Sequence, residues 1–164
     1  VTHDQVEAMT MGDRIGVMNR GKLIQVGTPS DVYSNPRDTF VASFVGSPAI
    51  NLFNGQVSAG KAVVAGSSFE LPLTGQGDGA YTFGIRPEDI KVESGAPVEA
   101  KVHDIENHGI EKILTLRVAD HLLRAGVPAR VNVAVEDTVR FGWNAGKVIF
   151  FDPKTGLNLG RKAA

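Results

Sequence analysis

At Ser47-Pro48 the sequence changes period, and few folds accommodate the result. Before that point apolar residues recur at helical spacing, as in Phe40, Val41, Phe44 and Val45. After it, helical spacing disappears. Short β-rich runs alternate with Gly, Pro, Asn and Asp turns: Leu52–Ser58, Lys61–Val64, Phe69–Leu73, Tyr81–Ile85, Ile90–Glu93, Val98–Ile105, Ile113–Val118, Leu122–Ala125, Val139–Phe141 and Val148–Phe151. So many short strands leave many unpaired edges unless the sheet closes, so a small barrel or barrel pair is expected. The fold class is therefore mainly β with an α+β N-terminal segment. The boundary falls between Gly46 and Asn51, giving expected units of 1–46 and 47–164.

The first unit opens with Val1-Thr2-His3-Asp4-Gln5-Val6-Glu7-Ala8-Met9-Thr10. Asp4 with Glu7, or Thr2 with Gln5, has capping-box spacing, and either pair starts a helix. His3 then sits where free N–H groups and the helix dipole favour an anion, so it can meet a phosphate oxygen or simply flank the cap. Gly12 fits the C-terminal cap. Arg14–Met18 and Lys22–Val26 read as strands joined at Asn19-Arg20-Gly21. Thr28-Pro29-Ser30-Asp31 starts a helix that stops near Asn35, and Asn35-Pro36 repeats the start signal for a helix closed by Gly46. Burying a phenylalanine is worth roughly 1.5–3 kcal/mol, so Phe40 and Phe44 are not expected to be exposed together. Core packing explains them more simply than a partner groove.

Several apparent chemical motifs fail in context. Gly16-Val17-Met18-Asn19-Arg20-Gly21-Lys22 has the spacing of a phosphate loop, but Leu23 follows where a hydroxyl is needed, and the setting is a hairpin. Gly75, Gly77 and Ala80 mimic a dinucleotide fingerprint with a strand in place of the helix. Residues Gly75 to Gly79 read as a flexible loop. His103, Asp104, Glu106 and His108 offer carboxylate and imidazole donors for a transition metal, yet Asn107-His108-Gly109 reads as a turn that breaks their common face, so no metal site is expected. His121 reads as a surface residue beside Asp120. In Arg86-Pro87-Glu88-Asp89, proline fixes a strand-end turn, and Arg86 suits a structural ion pair better than an anionic ligand. Trp143 reads as packing at a barrel end. No nucleophile-elbow pattern supports a hydrolase.

The totals narrow the class further. In 164 residues there is no cysteine, which excludes disulfides, thiol nucleophiles and thiolate metal sites. A net charge of −1, 7% aromatics and no basic stripe argue against nucleic acid as a partner. No apolar run approaches the ~20 residues that span a bilayer. Opening at Val1 in mid-unit, without a secretory leader, the sequence reads as a piece of something longer.

Thr-His-Asp-Gln-x-Glu-Ala-Met, then Gly12-Asp13-Arg14-Ile15 and a hairpin, resembles the switch-histidine segment of ABC-transporter ATPases. The resemblance is to import ATPases for carbohydrates and glycerol-3-phosphate. It continues through Val45-Gly46-Ser47-Pro48-Ala49-Ile50-Asn51, Phe83-Gly84-Ile85-Arg86-Pro87-Glu88-Asp89 and Phe150-Phe151-Asp152-Pro153-Lys154-Thr155-Gly156. It implies that residues 1–46 end a nucleotide-binding domain and that 47–164 form a transport-associated OB-fold-like β-barrel regulatory domain. It implies that His3 contacts the ATP γ-phosphate. The glycine-rich loop, signature motif and catalytic glutamate of such enzymes are missing from this sequence, so the segment is not expected to hydrolyse ATP. ATP and Mg²⁺ are cofactors expected of the longer protein, and none is expected for the segment.

Implied partners are a second copy, integral-membrane permease subunits and a regulatory protein, at the cytoplasmic face of the inner membrane. Exchange of the N-terminal segment between two copies is a further expectation, because its apolar helix faces lack an evident partner. The alternative is a β module that senses a small oxyanion or metabolite, or docks a partner protein.

Overall fold

The computed structural model describes residues 1–66, 70–72 and 76–160. The N-terminal segment begins with α1 (Gln5–Met11), capped by Asp4, whose Oδ1 accepts the Glu7 N–H at 3.0 Å. Of the two capping phases the sequence allows, the chain uses Asp4 with Glu7. Gly12 ends α1 in an extended conformation, φ −93°, so it is not a left-handed cap. Its lack of a side chain matters because a Cβ there would meet the Arg14 carbonyl at 3.1 Å.

Strands β1 (Ile15–Asn19) and β2 (Lys22–Gly27) then form an antiparallel hairpin. Its turn is Arg20-Gly21, both at positive φ, the backbone sense that matches strand twist. The apparent phosphate loop is therefore two strands and a tight turn. Thr28 caps α2 (Pro29–Ser34) by accepting the Asp31 N–H, as the Thr-Pro-Ser-Asp signal predicts.

The next helix corrects the expected start. Helix α3 (Thr39–Phe44) is capped by Asp38, not by Asn35. Asn35 is instead the C-cap of α2: its N–H reaches the Asp31 carbonyl and its amide reaches the Asp31 carboxylate. Val41 and Val45 pack with Val17 and Val32 in a small N-terminal core. Ala42, on another side of α3, packs with Ile50, Ile149 and Phe151. Val41, Val45 and Ala42 of α3 thus find partners within one chain, whereas Val6 and Met11 of α1 stay exposed. Phe40 is half-buried, whereas Phe44 remains 46% exposed and stacks on the Phe40 ring at 5.8 Å.

A cis Ser47-Pro48 bond leads into the β portion. Its strands are β3 (Asn51–Ser58), β4 (Lys61–Val64), β5 (Glu70–Pro72), β6 (Gly79–Ile85), β7 (Ile90–Val92), β8 (Val98–Asn107), β9 (Glu111–Val118), β10 (His121–Pro128), β11 (Thr138–Trp143), β12 (Ile149–Phe151) and β13 (Asn158–Gly160). Each expected strand has a counterpart. The expected ends of β5 at Phe69 and Leu73, like Gly75 of the expected loop, lie outside the described residues. Strand β13 was not expected.

Five strands form one sheet in the order β10-β9-β8-β11-β7. Its edge strands β7 and β10 lie against each other, so the sheet nearly closes into a barrel. The second sheet runs β13-β12-β6-β3-β4-β5. Phe53, Val57, Phe83 and Ile85 of this sheet share one core with Val102, Leu114, Leu116, Leu123 and Phe141 of the barrel sheet. The fold is therefore mainly β and of OB type. Trp143 is buried beside Phe83, 6.3 Å between centroids, as a packing residue should be. Asn51 ties the two sheets: its amide donates to the Arg124 carbonyl at 2.8 Å, and its oxygen accepts the Arg124 N–H at 2.7 Å.

Candidate functional site

His3 is exposed, immediately before the Asp4 cap of α1. The short helix behind it is anchored through Gln5. The Gln5 side chain donates to the Phe44 carbonyl, and its oxygen accepts the Gly46 N–H at 2.9 Å. One amide therefore uses both of its functions on the C-terminal end of α3. The sequence reading missed this, because Gln5 has an equally good local explanation as a capping partner of Thr2.

The same helix end is held by Arg86, which is 2% exposed. Its Nη1 donates to the Ala42 carbonyl at 3.1 Å and to the Val45 carbonyl at 2.6 Å. Its Nη2 donates to the Tyr33 carbonyl at 3.0 Å, near the end of α2. Carbonyls in the last turn of a helix lack intrahelical donors, and a cation there is favourable. The guanidinium also lies over the Tyr33 ring, and the Tyr33 hydroxyl donates to Glu88 Oε1 at 2.6 Å. Burial, then the bond to Glu88, push the Tyr33 phenol well above its ordinary value. Arg86 thus serves as a structural joint between β6 and both helix ends, and not as an anion receptor. Gly46 permits this approach. It has φ 114°, and a Cβ on it would fall 2.9 Å from Arg86 Nη1 and 3.1 Å from Tyr33 Cε2.

A second joint is made by the segment after β12. Asp152 Oδ1 accepts the N–H groups of Lys154 and Thr155, each at 2.8 Å, and these bonds hold its carboxyl below the usual carboxylate range. The turn presents the Gly156 carbonyl to the Thr39 N–H at 2.9 Å. Asn158 donates its N–H to the Arg37 carbonyl and its amide to the Pro36 carbonyl. Residues 152–158 therefore clasp the connection between α2 and α3. Asn54, Thr82, Thr39, Lys154 and Thr155 line an open polar cleft beside this clasp.

The histidine–carboxylate cluster of β8 does not converge. A register shift between Val102 and Asp104 turns His103 out of phase. His108 lies in the turn after β8, where Asn107 Oδ1 accepts the Gly109 N–H, and contacts only Glu106 at 3.4 Å among the other cluster members. Among the described residues no group of His, Asp and Glu side chains is placed to hold a metal ion. His121 is more engaged than its sequence suggests: Nε2 lies 2.7 Å from the Ala65 carbonyl, and the ring stands edge-on to Phe53. Among the described residues no helix is long and apolar enough to cross a membrane.

Residues 51–92 match the family described as the CysA C-terminal regulatory domain, and residues 83–151 match the TOBE domain. The sn-glycerol-3-phosphate import ATP-binding protein UgpC of Ruegeria pomeroyi is 37% identical over 97% of this chain and 46% of its own length. The trehalose/maltose import ATP-binding protein MalK of Thermococcus litoralis is 43% identical over 95% of this chain and 46% of its own. The xylose/arabinose import ATP-binding protein XacK of Haloferax volcanii is 40% identical over 95% and 44%. The chain spans slightly under half the length of these relatives.

Proposed function

We propose, from the premise that this chain belongs with the C-terminal parts of ABC-importer ATP-binding subunits of the carbohydrate and glycerol-3-phosphate type, that it is the regulatory and dimerisation portion of such a subunit. The observation that carries this is the identity to import ATP-binding proteins along nearly the whole chain, β domain included. The subunit energises uptake of a sugar, polyol or glycerol-3-phosphate by ATP hydrolysis. The three relatives are named for different substrates, so their shared sequence does not encode the choice.

In this reading residues 1–46 complete the nucleotide-binding domain, and 47–164 form the regulatory β domain. His3 is the residue of this chain that meets the nucleotide. Its exposure before a helix cap leaves the imidazole accessible to a γ-phosphate oxygen. The residues of the segment do not fit a whole nucleotide site: the Gly16–Lys22 stretch is a hairpin, and Leu23 offers no hydroxyl to Mg²⁺. Phosphoryl transfer needs several positioned groups at once, so the segment alone does not hydrolyse ATP. The remaining groups, with bound ATP and Mg²⁺, belong to the complete subunit. It acts as a homodimer on permease subunits at the cytoplasmic face of the membrane, where a regulatory protein can reach the β domain.

The test is reconstitution of the full-length subunit with its permease in vesicles. Substrate uptake that requires ATP, for one of the three substrate classes, is the expected result. A full-length protein that neither hydrolyses ATP nor supports uptake of any of them would overturn the reading.

A further inference from the structure

We infer that Gln5 is a positioning residue for His3, acting by seating α1 on the α3 end that Arg86 braces. The inference rests on the proposed role of His3. Three observations carry it. The first is that α1 has only seven residues and buries none of them fully, so its own packing fixes it weakly. An isolated helix of this length is not stable in water. The second is the bidentate use of Gln5, a donor to Phe44 and an acceptor from Gly46, two residues from His3 and about forty residues away from its partners. Two bonds from one planar amide fix orientation as well as distance. The third is that the anchoring backbone is itself held. The Ala42 and Val45 carbonyls are bonded to the buried Arg86 guanidinium, which also binds Tyr33.

Gln5 and Arg86 do not bond each other. They act on one stretch, Ala42 to Gly46, and Val45 lies between the two groups that Gln5 touches. A shift of α1 when His3 engages its ligand therefore reaches the stretch that Arg86 holds to β6, and the reverse path is the same. The joint has little slack on the Arg86 side, because the space above Gly46 is filled by Arg86 and Tyr33.

Two measurements test this. In the 164-residue chain, amide hydrogen exchange of Gly46 is followed in wild type, Gln5→Ala and Gln5→Glu. The Ala variant is expected to exchange the Gly46 amide about tenfold or more faster, while the Val32 amide within α2 is unchanged. The Glu variant keeps an acceptor for Gly46 and should retain protection. An unchanged Gly46 amide in Gln5→Ala would show that the contact holds nothing and would overturn the inference.

In the full-length subunit, kcat for ATP hydrolysis is compared for His3→Ala, Gln5→Ala and the double variant. Misplacing a group by about 1 Å can cost up to ~100-fold in rate. Gln5→Ala should lower kcat at least tenfold with little change in KM, and the double variant should be no slower than His3→Ala. Multiplying losses would indicate independent structural damage and would overturn the positioning role. Were His3→Ala itself fully active, the reading of His3 would fall, and the Gly46 exchange would still judge the joint.

Discussion

The Arg86 guanidinium lies 4.0 Å from the centre of the Tyr33 ring while donating to the carbonyl of the same residue. One side chain from the β domain thus covers an aromatic face and satisfies carbonyls at the ends of two helices. Lysine cannot reproduce this, because its ammonium is a point charge without the planar fork. A hydrogen bond to a charged group contributes about 1.5–3 kcal/mol, and leaving a buried carbonyl unpartnered is costly. Arg86→Lys should therefore destabilise the chain by about 3 kcal/mol in chemical denaturation. A loss below about 1 kcal/mol would mean the joint is held mainly by its apolar contacts.

Asn51 makes a comparable tie between the two sheets. Truncation to alanine leaves both the N–H and the carbonyl of Arg124 without their Asn51 partners. Asn51→Ala should cost about 2–3 kcal/mol, with retained secondary structure by circular dichroism. Full stability in the variant would contradict this account of how the sheets are joined.

Two glycines separate crowding from mere frequency. A Cβ on Gly55 would lie 2.2 Å from the Val63 carbonyl oxygen and 2.8 Å from the Phe83 ring, whereas one on Gly77 meets nothing within 4 Å among the described residues. Gly55→Ala should destabilise by at least the ~1–3 kcal/mol of an overpacked core. Gly77→Ala should stay within about 0.5 kcal/mol of wild type. Thermal unfolding of the pair checks both values, and equal melting temperatures would refute the contrast.

Asp152 gives a pH dependence with a definite sign. Its carboxyl is depressed in the folded chain by the N–H groups of Thr155 and Lys154. Its contribution is therefore complete above the unfolded value, about 3.9, and is lost as pH falls through the lower folded value. Asp152→Asn keeps an oxygen acceptor but does not titrate there. The stability gap between wild type and variant should be constant near neutrality and narrow below about pH 4. A gap that is flat into strong acid would contradict the assignment.

Much of the fold was legible because burial of one sheet face imposes alternation. Lys61–Val64 is a strand end to end as read, and the others differ only at their termini. Strand β13 was not legible: Leu157 and Leu159 are both about half exposed, and the strand is held through main-chain pairing and Asn158. The Asn35-Pro36 signal misled because asparagine suits a helix end as well as a helix start, and only the tertiary setting chooses. At the candidate site, the position of His3 before a helix was readable. The partners of Gln5 and Arg86 were not, since contacts spanning 39 to 53 residues leave no local pattern.

The most direct test of the account is ATP hydrolysis by this 164-residue chain beside the full-length subunit and its His3→Ala form. The account predicts no turnover by the chain, turnover by the full-length subunit, and its loss in the variant. Turnover by the chain itself would contradict the reading of a regulatory β domain joined to the end of a nucleotide-binding domain.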